Sequence, residues 1–403
     1  MGTIVIRGVR VVLGPPGSEQ GPQDLLVSEG RIEAVRPSGG SLPADARRID
    51  GTGLTAAPGF IDLHVHGGAG ADFMDASEEA FRTIGAFHAA GGTTAYLPTT
   101  ATEAEETIFA CIDVAERCRA SRPGGVEILG VHVEGPYLAP GRHGCHDPAS
   151  VRRPSARENR RYLERAGIVR RMTLAPELPG APDLVRELRA AGILASGGHS
   201  GATADEVFLA ADRGMTLITH LFCAMSSITK DGPYRIAGML EAALLDDRLG
   251  AELIADLKHV PRELLLLALK TKGADRVCLV TDAMRGAGMP DGTYTFGSRR
   301  GTPAVVEGGV SRNLENTGFA STTVRMIDMV RNVVETLGLD LAAAARLASL
   351  NPAKFLGLDG RKGSLEPGKD ADLVLLATDP ELQVRMTLAA GEVLWSSTGK
   401  EKP

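Results

Sequence analysis

The sequence lacks the features that mark secreted, membrane-bound and nucleic-acid-binding proteins. Its five cysteines are scattered over 403 residues and form no C-x-x-C pair, so we expect neither a disulfide framework nor a cysteine zinc site. No apolar run approaches the roughly 18 to 20 residues of a membrane helix, and the N-terminus lacks the apolar core of a signal peptide. A net charge of −6 offers no basic surface. We therefore expect a cytoplasmic protein that binds neither membrane nor nucleic acid.

Short segments at both ends of the chain alternate apolar and polar residues. They include T-I-V-I-R, V-R-V-V-L, D-L-L-V and R-I-E-A-V-R near the N-terminus, and A-D-L-V-L-L and G-E-V-L-W near the C-terminus. Alternation with a period of two predicts antiparallel β-strands, and neither end alone has enough strands to bury a face. We therefore expect residues 1–57 and 358–403 to combine in one small β-sandwich domain.

The middle of the chain, residues 58–357, alternates apolar runs with helical segments. The predicted strands are Gly59–His64, Thr93–Pro98, Ile128–Val133, Met172–Pro176, Ile193–Ser196, Thr216–Thr219, Leu253–Ala255 and Val277–Thr281. The predicted helices are Glu78–Ala90, Glu103–Ala120, Pro182–Ala191, Ala204–Asp212 and Pro261–Thr271. This alternation favours an α/β fold, a (β/α)8 TIM-like barrel with its active site at the C-terminal ends of the strands. A doubly wound sheet is the alternative, and Gly292–Val310 is expected to add short strands.

Histidines and carboxylates follow the ends of the predicted strands. His64 and His66 come at the end of the first run, where the strand period of two places both on one face. A lone H-x-H pair often binds no metal. Further candidates follow the later runs, and these are Glu134, His199, His220, His259 and Asp282. Because the strand ends of a barrel meet at one rim, the sequence predicts a metal centre there, with imidazole as the main ligand type.

Several of these stretches resemble the amidohydrolase superfamily, and within it the N-acetylglucosamine-6-phosphate deacetylases. They are P-G-F-I-D-L-H-V-H-G, G-V-H-V-E-G-P-Y-L, T-L-A-P-E, G-G-H-S-G-A-T, T-H-L-F-C-A-M, I-A-D-L-K-H-V, V-T-D-A-M and G-S-L-E-P-G-K-D-A-D-L-V. The resemblance extends over nearly the whole chain. It implies metal-dependent hydrolysis of the N-acetyl amide of a small-molecule substrate, N-acetylglucosamine 6-phosphate or its galacto epimer.

The resemblance also implies a role for individual residues. One divalent ion would be held by Glu134, His199 and His220, and a second, more weakly bound ion by His64 and His66. Asp282 would be the general acid/base and a further metal ligand, and His259 would lie against the acetyl carbonyl. The substrate would also contact His146, Cys223, Ala224 and Arg235. A homodimer is expected.

Lysine is absent from the first half of the sequence, where the first one is Lys230. Many amidohydrolases bridge two ions with a carboxylated lysine, but none is available here before the fifth predicted strand. Only a carboxylate can bridge the ions at that place, and Glu134 is the candidate. Zinc is the expected ion, although iron, manganese and cobalt also suit nitrogen and oxygen ligands.

The substrate side departs from the family pattern. Cys223 stands where the family has an asparagine that helps to bind phosphate, and F-A-S-T (Phe319–Thr322) replaces L-A-G-S. Arg235 is the candidate for phosphate binding, with Lys230 or Arg142 as substitutes. These departures leave open another N-acyl substrate, such as an unphosphorylated acetamido sugar or an N-acyl amino acid. A non-catalytic binding protein on the same fold predicts lost ligands, whereas here every ligand position is filled.

Overall fold

The computed structural model describes residues 2–15, 17–18 and 21–398. The outermost parts of the predicted terminal domain, Met1 and 399–403, lie outside the described residues, as do Pro16, Glu19 and Gln20. Within the described part of the chain, no helix combines the length and the apolar character that a membrane span requires.

The N-terminal region forms the strands β1 (Ile4–Val11), β2 (Gln23–Ser28), β3 (Arg31–Pro37), β4 (Arg47–Asp50) and β5 (Thr55–Pro58). The first two alternating segments of the sequence join into the single strand β1 rather than forming two strands. A register shift between Ile6 and Val9 interrupts its pairing with β2. Gly8 lies at this shift with a φ of +65°, a conformation that glycine adopts without steric cost.

The middle of the chain supplies the barrel and its additions. Its strands are β6 (Phe60–Val65), β7 (Gly67–Gly68), β8 (Ala71–Asp72), β9 (Thr93–Thr100), β10 (Glu127–Ile128), β11 (Val131–Glu134), β12 (Val169–Leu174), β13 (Leu194–Gly197), β14 (Leu217–Ile218), β15 (Thr229–Asp231), β16 (Tyr234–Ile236), β17 (Gly250–Leu253), β18 (Val277–Leu279), β19 (Gly292–Phe296), β20 (Thr302–Glu307) and β21 (Val310–Asn313). The last strands of the chain are β22 (Leu373–Ala377), β23 (Gln383–Ala389) and β24 (Glu392–Ser396).

The helices lie between and after the barrel strands. They are α1 (Glu78–Ala89), α2 (Glu105–Ser121), α3 (Ala156–Glu164), α4 (Ala181–Ala190), α5 (Ala204–Arg213), α6 (Met239–Leu245), α7 (Arg262–Lys272), α8 (Met326–Glu335), α9 (Leu341–Ala345) and α10 (Asn351–Phe355). Short 3-10 turns occur at Phe73–Asp75 and Pro148–Ser150, and a π-helical turn at Arg346–Leu350. Each predicted helix is found within two residues of its expected start.

Local sequence signals begin and end these helices. Thr203 and Glu206 form a capping box at the start of α5, which satisfies backbone N–H groups that have no partner inside the helix. Gly214 ends the same helix with a φ of +116°, which a residue with a Cβ adopts only under strain. Ser77 caps α1 by accepting a hydrogen bond from the N–H of Ala80.

Parallel strands between residues 60 and 279 close into the predicted barrel. Their order is β6, β9, β11, β12, β13, β14, β17 and β18. The two ends of this series meet through a bridge between Val65 and Ala283 and through the Asp282 N–H, which donates to His64 O at 2.8 Å. A doubly wound sheet has no such closure, so the barrel prediction is confirmed.

Two barrel strands begin earlier than the sequence pattern indicated. The fourth was expected at Met172 and starts at Val169; the seventh was expected at Leu253–Ala255 and covers Gly250–Leu253. In both strands a charged side chain interrupts the apolar run, Arg171 in one and Glu252 in the other. Both side chains are fully buried and form an ion pair inside the barrel, so the pattern was misleading where two distant charges meet.

Strands from both ends of the chain form one hydrogen-bonded sheet, in the order β24, β23, β22, β5, β1, β2 and β3, with β4 beside β1. The expected fully antiparallel pairing was wrong in part, because β4 and β5 lie parallel to β1. The sheet has its own apolar core, which includes Ile6, Leu25 and Leu373. This separate core supports the division into 1–57 with 358–403 and 58–357, which stays a proposal.

The stretch beyond the eighth barrel strand forms the predicted additional strands. β19, β20 and β21 make a small antiparallel sheet. Phe296, at the end of β19, packs its ring against His66 and His146, with ring centroids 4.7 and 5.2 Å apart. The added sheet therefore contributes one wall beside the C-terminal rim of the barrel.

Candidate metal centre

The C-terminal ends of the barrel strands bring together the predicted metal ligands. His64 lies in β6 and Glu134 ends β11, while His66, His199, His220 and Asp282 follow their strands within a few residues. All of these side chains are buried. The backbone of His199, His220 and Asp282 has φ values of +49°, +30° and +48°. This left-handed conformation costs roughly 1–2 kcal/mol per residue, and it turns each side chain out of the strand direction toward a common centre.

Glu134 lies between two pairs of imidazoles. Its Oε1 is 3.2 Å from His199 Nε2 and 3.2 Å from His220 Nε2. Its Oε2 is 3.3 Å from His64 Nε2 and 3.1 Å from His66 Nε2. We call Glu134, His199 and His220 the His199 half-site. Glu134, His64, His66 and Asp282 form the His64 half-site, in which Asp282 Oδ1 is 3.4 and 3.3 Å from the two Nε2 atoms.

Hydrogen bonds at the outer nitrogen fix two of these rings. His199 Nδ1 lies 2.7 Å from the carbonyl oxygen of Arg142, and His64 Nδ1 lies 3.3 Å from a carboxylate oxygen of Glu252. Because both partners are acceptors, the proton of each neutral ring resides on Nδ1. The Nε2 lone pair then points inward, the arrangement that metal-binding histidines need.

The inward nitrogens lie in pairs at a spacing that suits a shared ion. His199 Nε2 and His220 Nε2 are 3.0 Å apart, and His64 Nε2 and His66 Nε2 are 3.2 Å apart. Two lone pairs that face each other at this distance repel unless positive charge lies next to them. Two nitrogens bound to one zinc ion at about 2.1 Å each are roughly 3 to 3.5 Å apart. The residues present therefore fit a divalent ion in each half-site.

The electrostatics of the cluster also require positive charge. Burial alone would lower the pKa of His64, but the charges of Glu134 and Asp282 raise it well above its usual range. Burial likewise opposes the rise in the pKa of His66, which hydrogen bonds to Asp282 and Glu134 bring to about 9. The two buried carboxylates thus favour positive charge at these rings. A divalent ion would provide the same compensation.

His146 has the opposite proton arrangement. Its Nδ1 accepts the backbone N–H of Thr102 at 3.0 Å, so the proton of the neutral ring lies on Nε2, which donates to Glu134 Oε2 at 3.1 Å. Burial lowers the pKa of His146 to about 4, which keeps the ring neutral near pH 7. Although it is within ligand spacing of Glu134 and His199, His146 acts here as a hydrogen-bond donor. Its predicted contact with the substrate stays a prediction.

His259 lies across the rim, held by a carboxylate that the sequence did not single out. Its Nδ1 lies 2.7 Å from Asp256 Oδ2, and its ring is 4.3 Å from that of Phe319. Asp282 Oδ1 in turn accepts a hydrogen bond from Ser321 Oγ at 3.2 Å. Burial alone would raise the pKa of Asp282, but the positive charge of His64 and the hydrogen bond from His66 hold it well below its usual range.

A cavity of about 330 Å³ opens directly onto this cluster. Its lining includes the predicted residues Glu134, His146, His199, His220, Cys223, Ala224, His259 and Asp282, and in addition Arg142, Cys145, Phe222, Phe296, Phe319 and Ser321. The structure does not bring Arg235 to this cavity, because Arg235 lies in the exposed hairpin of β15 and β16, opposite Lys230. Arg142, in contrast, is among the residues that line this cavity.

The comparisons with known proteins agree with this geometry. The sequence model of the amidohydrolase family matches residues 55–394. The N-acetylgalactosamine-6-phosphate deacetylase of Escherichia coli O157:H7 is 36% identical over 397 residues, which cover 97% of this chain and 99% of that protein. The N-acetylglucosamine-6-phosphate deacetylase of Lysinibacillus sphaericus is 33% identical, with 97% of each chain covered.

Solved structures show the same likeness. A mutant N-acetyl-D-glucosamine-6-phosphate deacetylase from Mycobacterium smegmatis, in complex with N-acetyl-D-glucosamine-6-phosphate, has a TM-score of 0.86 and 32% identity, covering 98% of this chain and 100% of that one. The N-acetylglucosamine-6-phosphate deacetylase from Pasteurella multocida has a TM-score of 0.88 and 29% identity, covering 97% and 99%. With the family model matched over most of its length, the chain belongs to the amidohydrolase family.

Proposed function

We propose that the protein is a metal-dependent deacetylase that hydrolyses the N-acetyl amide of an amino sugar 6-phosphate to acetate and the amino sugar phosphate. The observation that carries this proposal is the position of Glu134 between two imidazole pairs, with Asp282 3.3 to 3.4 Å from one pair, in the lining of a cavity of about 330 Å³. The similarity of nearly the whole chain to deacetylases of both N-acetylglucosamine 6-phosphate and N-acetylgalactosamine 6-phosphate supports this substrate class.

The proposed metal ligands are Glu134, His199 and His220 for the main ion, with His64, His66 and Asp282 at a more weakly held position. Zinc is the proposed ion, and iron, manganese or cobalt would suit the same nitrogen and oxygen donors. A bound divalent ion lowers the pKa of water to about 7 and so provides hydroxide at neutral pH. Elemental analysis of the purified protein tests the ion's identity and number, and full activity in the presence of a strong chelator would contradict the proposal.

The chain's own residues then move the proton and bind the acetyl group. We assign Asp282 as the group that takes the proton from water and returns it to the leaving nitrogen, since an amine leaves only when protonated. Asp282 Oδ1 lies 3.4 Å from His64 Nε2 and 3.3 Å from His66 Nε2, next to the place where the ion and its water would be held. The Asp256 carboxylate holds the His259 ring at Nδ1, which orients the Nε2 edge for contact with the acetyl carbonyl.

The phosphate of the substrate needs a cation at the cavity. Arg142 is an exposed residue that lines the cavity, and arginine binds phosphate through two hydrogen bonds in a fixed geometry. Arg235 does not reach the chain's own cavity, so its predicted role in phosphate binding requires a movement of its hairpin or a second copy of the chain. Cys223 in the same lining is a weak donor, which favours an unphosphorylated acetamido sugar or an N-acyl amino acid as the second candidate substrate.

One set of assays separates these substrates. Acetate release is measured from N-acetylglucosamine and N-acetylgalactosamine, each with and without the 6-phosphate, in the wild type and in the Arg142→Ala and Arg235→Ala variants. If phosphate is recognised, the phosphorylated sugars are preferred by orders of magnitude and at least one variant loses that preference. Equal turnover with and without phosphate would contradict phosphate recognition and leave a general N-deacylase.

A cytoplasmic location and a homodimer complete the proposal. The scattered, unpaired cysteines support a reducing compartment. The exposed apolar side chains Ile228, Tyr234 and Leu245 lie on or beside the β15–β16 hairpin and α6, and they support an association between chains in this region. Analytical ultracentrifugation tests the dimer, and a monomer at micromolar concentration would contradict it.

A further inference from the structure

A fully buried ion pair lies inside the barrel, next to both half-sites. Arg171 of β12 and Glu252 of β17 have no solvent exposure, and an Arg171 Nη1 hydrogen bond joins them. The guanidinium also donates to Ser196 Oγ at 2.9 Å, to Thr219 Oγ1 at 2.8 Å and to the carbonyl oxygen of Leu63 at 3.1 Å. These contacts hold the arginine in one orientation, and with it the carboxylate that it faces.

Burying an ion pair in the interior of a barrel has a high free-energy cost. Removing two charges from water costs several kcal/mol per ion, and apolar residues of similar volume often stabilise a protein as well or better. The interior of a barrel of this type is ordinarily filled by branched apolar side chains. Stability alone therefore gives no reason for an arginine and a glutamate at these two positions, and the other contacts of Glu252 become the informative ones.

Glu252 touches one metal-ligand residue of each half-site. Its Oε2 lies 3.3 Å from His64 Nδ1 in the His64 half-site. The same oxygen accepts the backbone N–H of His220, in the His199 half-site, at 3.2 Å. His220 has a φ of +30°, so its backbone is in a conformation that the surrounding contacts have to maintain. One carboxylate oxygen thus orients a ring in one half-site and a strained backbone in the other.

We propose that Glu252, held in place by Arg171, is a positioning residue that prepares both half-sites for metal. Accepting the Nδ1–H of His64 directs the Nε2 lone pair inward, and the negative charge makes that ring a stronger ligand. The hydrogen bond to the His220 N–H keeps the side chain of His220 beside Glu134. This inference rests on the proposed metal-dependent function and adds to it the residues that set the metal affinity.

The test measures metal affinity separately from stability. Wild type and Glu252→Gln are stripped of metal and titrated with Zn²⁺ against a chromophoric chelator, and the melting temperature of the metal-free forms is recorded. We expect a 10- to 100-fold weaker zinc affinity in Glu252→Gln, the usual effect of removing such a partner. Glu158→Gln is the matched control, since Glu158 is also buried and paired with an arginine, Arg152, but lies in α3. It should lower the melting temperature without changing zinc affinity.

Two further variants secure the interpretation. In a His64→Ala background, the Glu252→Gln substitution should cost less zinc affinity than in the wild type, because part of its effect passes through the missing ring. An equal loss in both backgrounds would overturn the role of His64. If Glu252→Gln alone does not fold, Arg171→Met/Glu252→Gln leaves no unpaired buried charge and is expected to fold with the same weakened affinity.

The outcomes separate this inference from the proposed function. A wild type that binds zinc, together with a folded Glu252→Gln or double variant of unchanged affinity, overturns the positioning role and leaves the function intact. A wild type that binds none of the divalent ions Zn²⁺, Mn²⁺, Fe²⁺ or Co²⁺ overturns the proposed function itself. An equal loss of affinity in Glu158→Gln would show that any buried-charge deletion weakens the site, and it would also overturn the specific role of Glu252.

Discussion

In the described part of the chain, two clusters with buried or partly buried carboxylates have the spacing of metal ligands, and they differ in what balances their charge. One is the candidate metal centre. The other, which we call the Lys362 cluster, joins Glu127, Asp370 and Asp372 between the barrel and the terminal sheet. Lys362 Nζ lies 2.6 Å from Glu127 and 3.1 Å from Asp370 and pairs with Asp372 as well. Arg361 adds contacts at 2.8 and 2.9 Å.

The candidate metal centre contains no such lysine or arginine among the residues that the structure describes. Within the described residues, the ion-pair partners of Glu134 and Asp282 are all histidines, and no lysine or arginine reaches either carboxylate. Lysine and arginine carry their charge permanently at neutral pH, whereas a buried imidazole can present a lone pair instead. Carboxylate spacing alone therefore does not distinguish a metal site from an ion-pair network, and the type of the partner residues does.

The largest expected difference between the clusters appears when a central carboxylate is removed. Glu134→Ala should lose metal from both half-sites and lower acetate release by about 10⁴-fold or more, since the several kcal/mol that a metal ion supplies disappear. Asp370→Asn in the Lys362 cluster is the control and should keep wild-type metal content and turnover. Elemental analysis and the acetate assay measure both. A Glu134→Ala variant with wild-type metal content would contradict the bridging position of Glu134.

The next effect concerns the proton rather than the metal. Asp282→Asn keeps the size of the side chain but removes the proton acceptor, so we expect kcat to fall by about 10² to 10⁴. Metal content of the His199 half-site should change little, because Glu134, His199 and His220 remain. The measurement is kcat with metal content determined on the same sample. Activity within a fewfold of wild type would mean that another group transfers the proton.

A smaller effect is expected at the edge of the metal centre. Asp256→Asn removes the charge that holds His259 at Nδ1, and a hydrogen bond to a charged group is worth about 1.5–3 kcal/mol. We therefore expect kcat/KM to fall by roughly 10- to 100-fold, with unchanged metal content. Lys258→Met, an exposed neighbour of the same loop, should leave kcat/KM unaltered. Equal kcat/KM values for the two variants would show that Asp256 does not contribute to binding of the acetyl carbonyl.

The contrast between the clusters also shows how far the sequence could lead. The barrel was predictable because its strands are apolar runs, and the clustering of the candidate metal ligands was predictable because they follow those runs. Arg171 and Glu252 were missed for the same reason: each is a charge inside an apolar run, and its partner lies 81 residues away. The local sequence pattern predicts that such a charged residue lies outside the strand, because only the folded chain shows which opposite charge it pairs with.

The tautomer of His146 and the location of Arg235 could not be predicted from the sequence for other reasons. His146 resembles a metal ligand by residue type and spacing, and only the Thr102 N–H at its Nδ1 shows that the ring donates from Nε2. Arg235 was predicted to bind phosphate because of its position in a family motif. A motif fixes where a residue lies along the chain, but not which cavity the residue faces, and the structure places this arginine on an exposed hairpin.

The smallest effect on catalysis, and a large one on stability, is expected in the Lys362 cluster. Lys362→Met leaves Glu127, Asp370 and Asp372 with Arg361 and the more distant Arg122 and Arg31 as cationic partners, and breaking a largely buried charge network in this way costs about 3–5 kcal/mol. Metal content and turnover of the folded variant should match wild type. Lys369→Met is the control, because its pair with the half-exposed Glu366 is worth at most about 1 kcal/mol.

The pH dependence of this loss separates charge repulsion from lost packing. In the wild type, burial favours the neutral form of Glu127, but Lys362 outweighs it and lowers the pKa to about 2 from 4.5. The stability that Glu127 contributes is therefore fully present above pH 4.5 and is lost as the pH falls toward 2. Without Lys362, burial is opposed by Arg361 and Arg122 but no longer by the lysine, so the pKa of Glu127 rises from its wild-type value and protonation relieves the variant as the pH falls. Denaturant unfolding at pH 7.5 and pH 5 should show the deficit of Lys362→Met shrinking at the lower pH, whereas a constant deficit would mean that the lysine acts through packing.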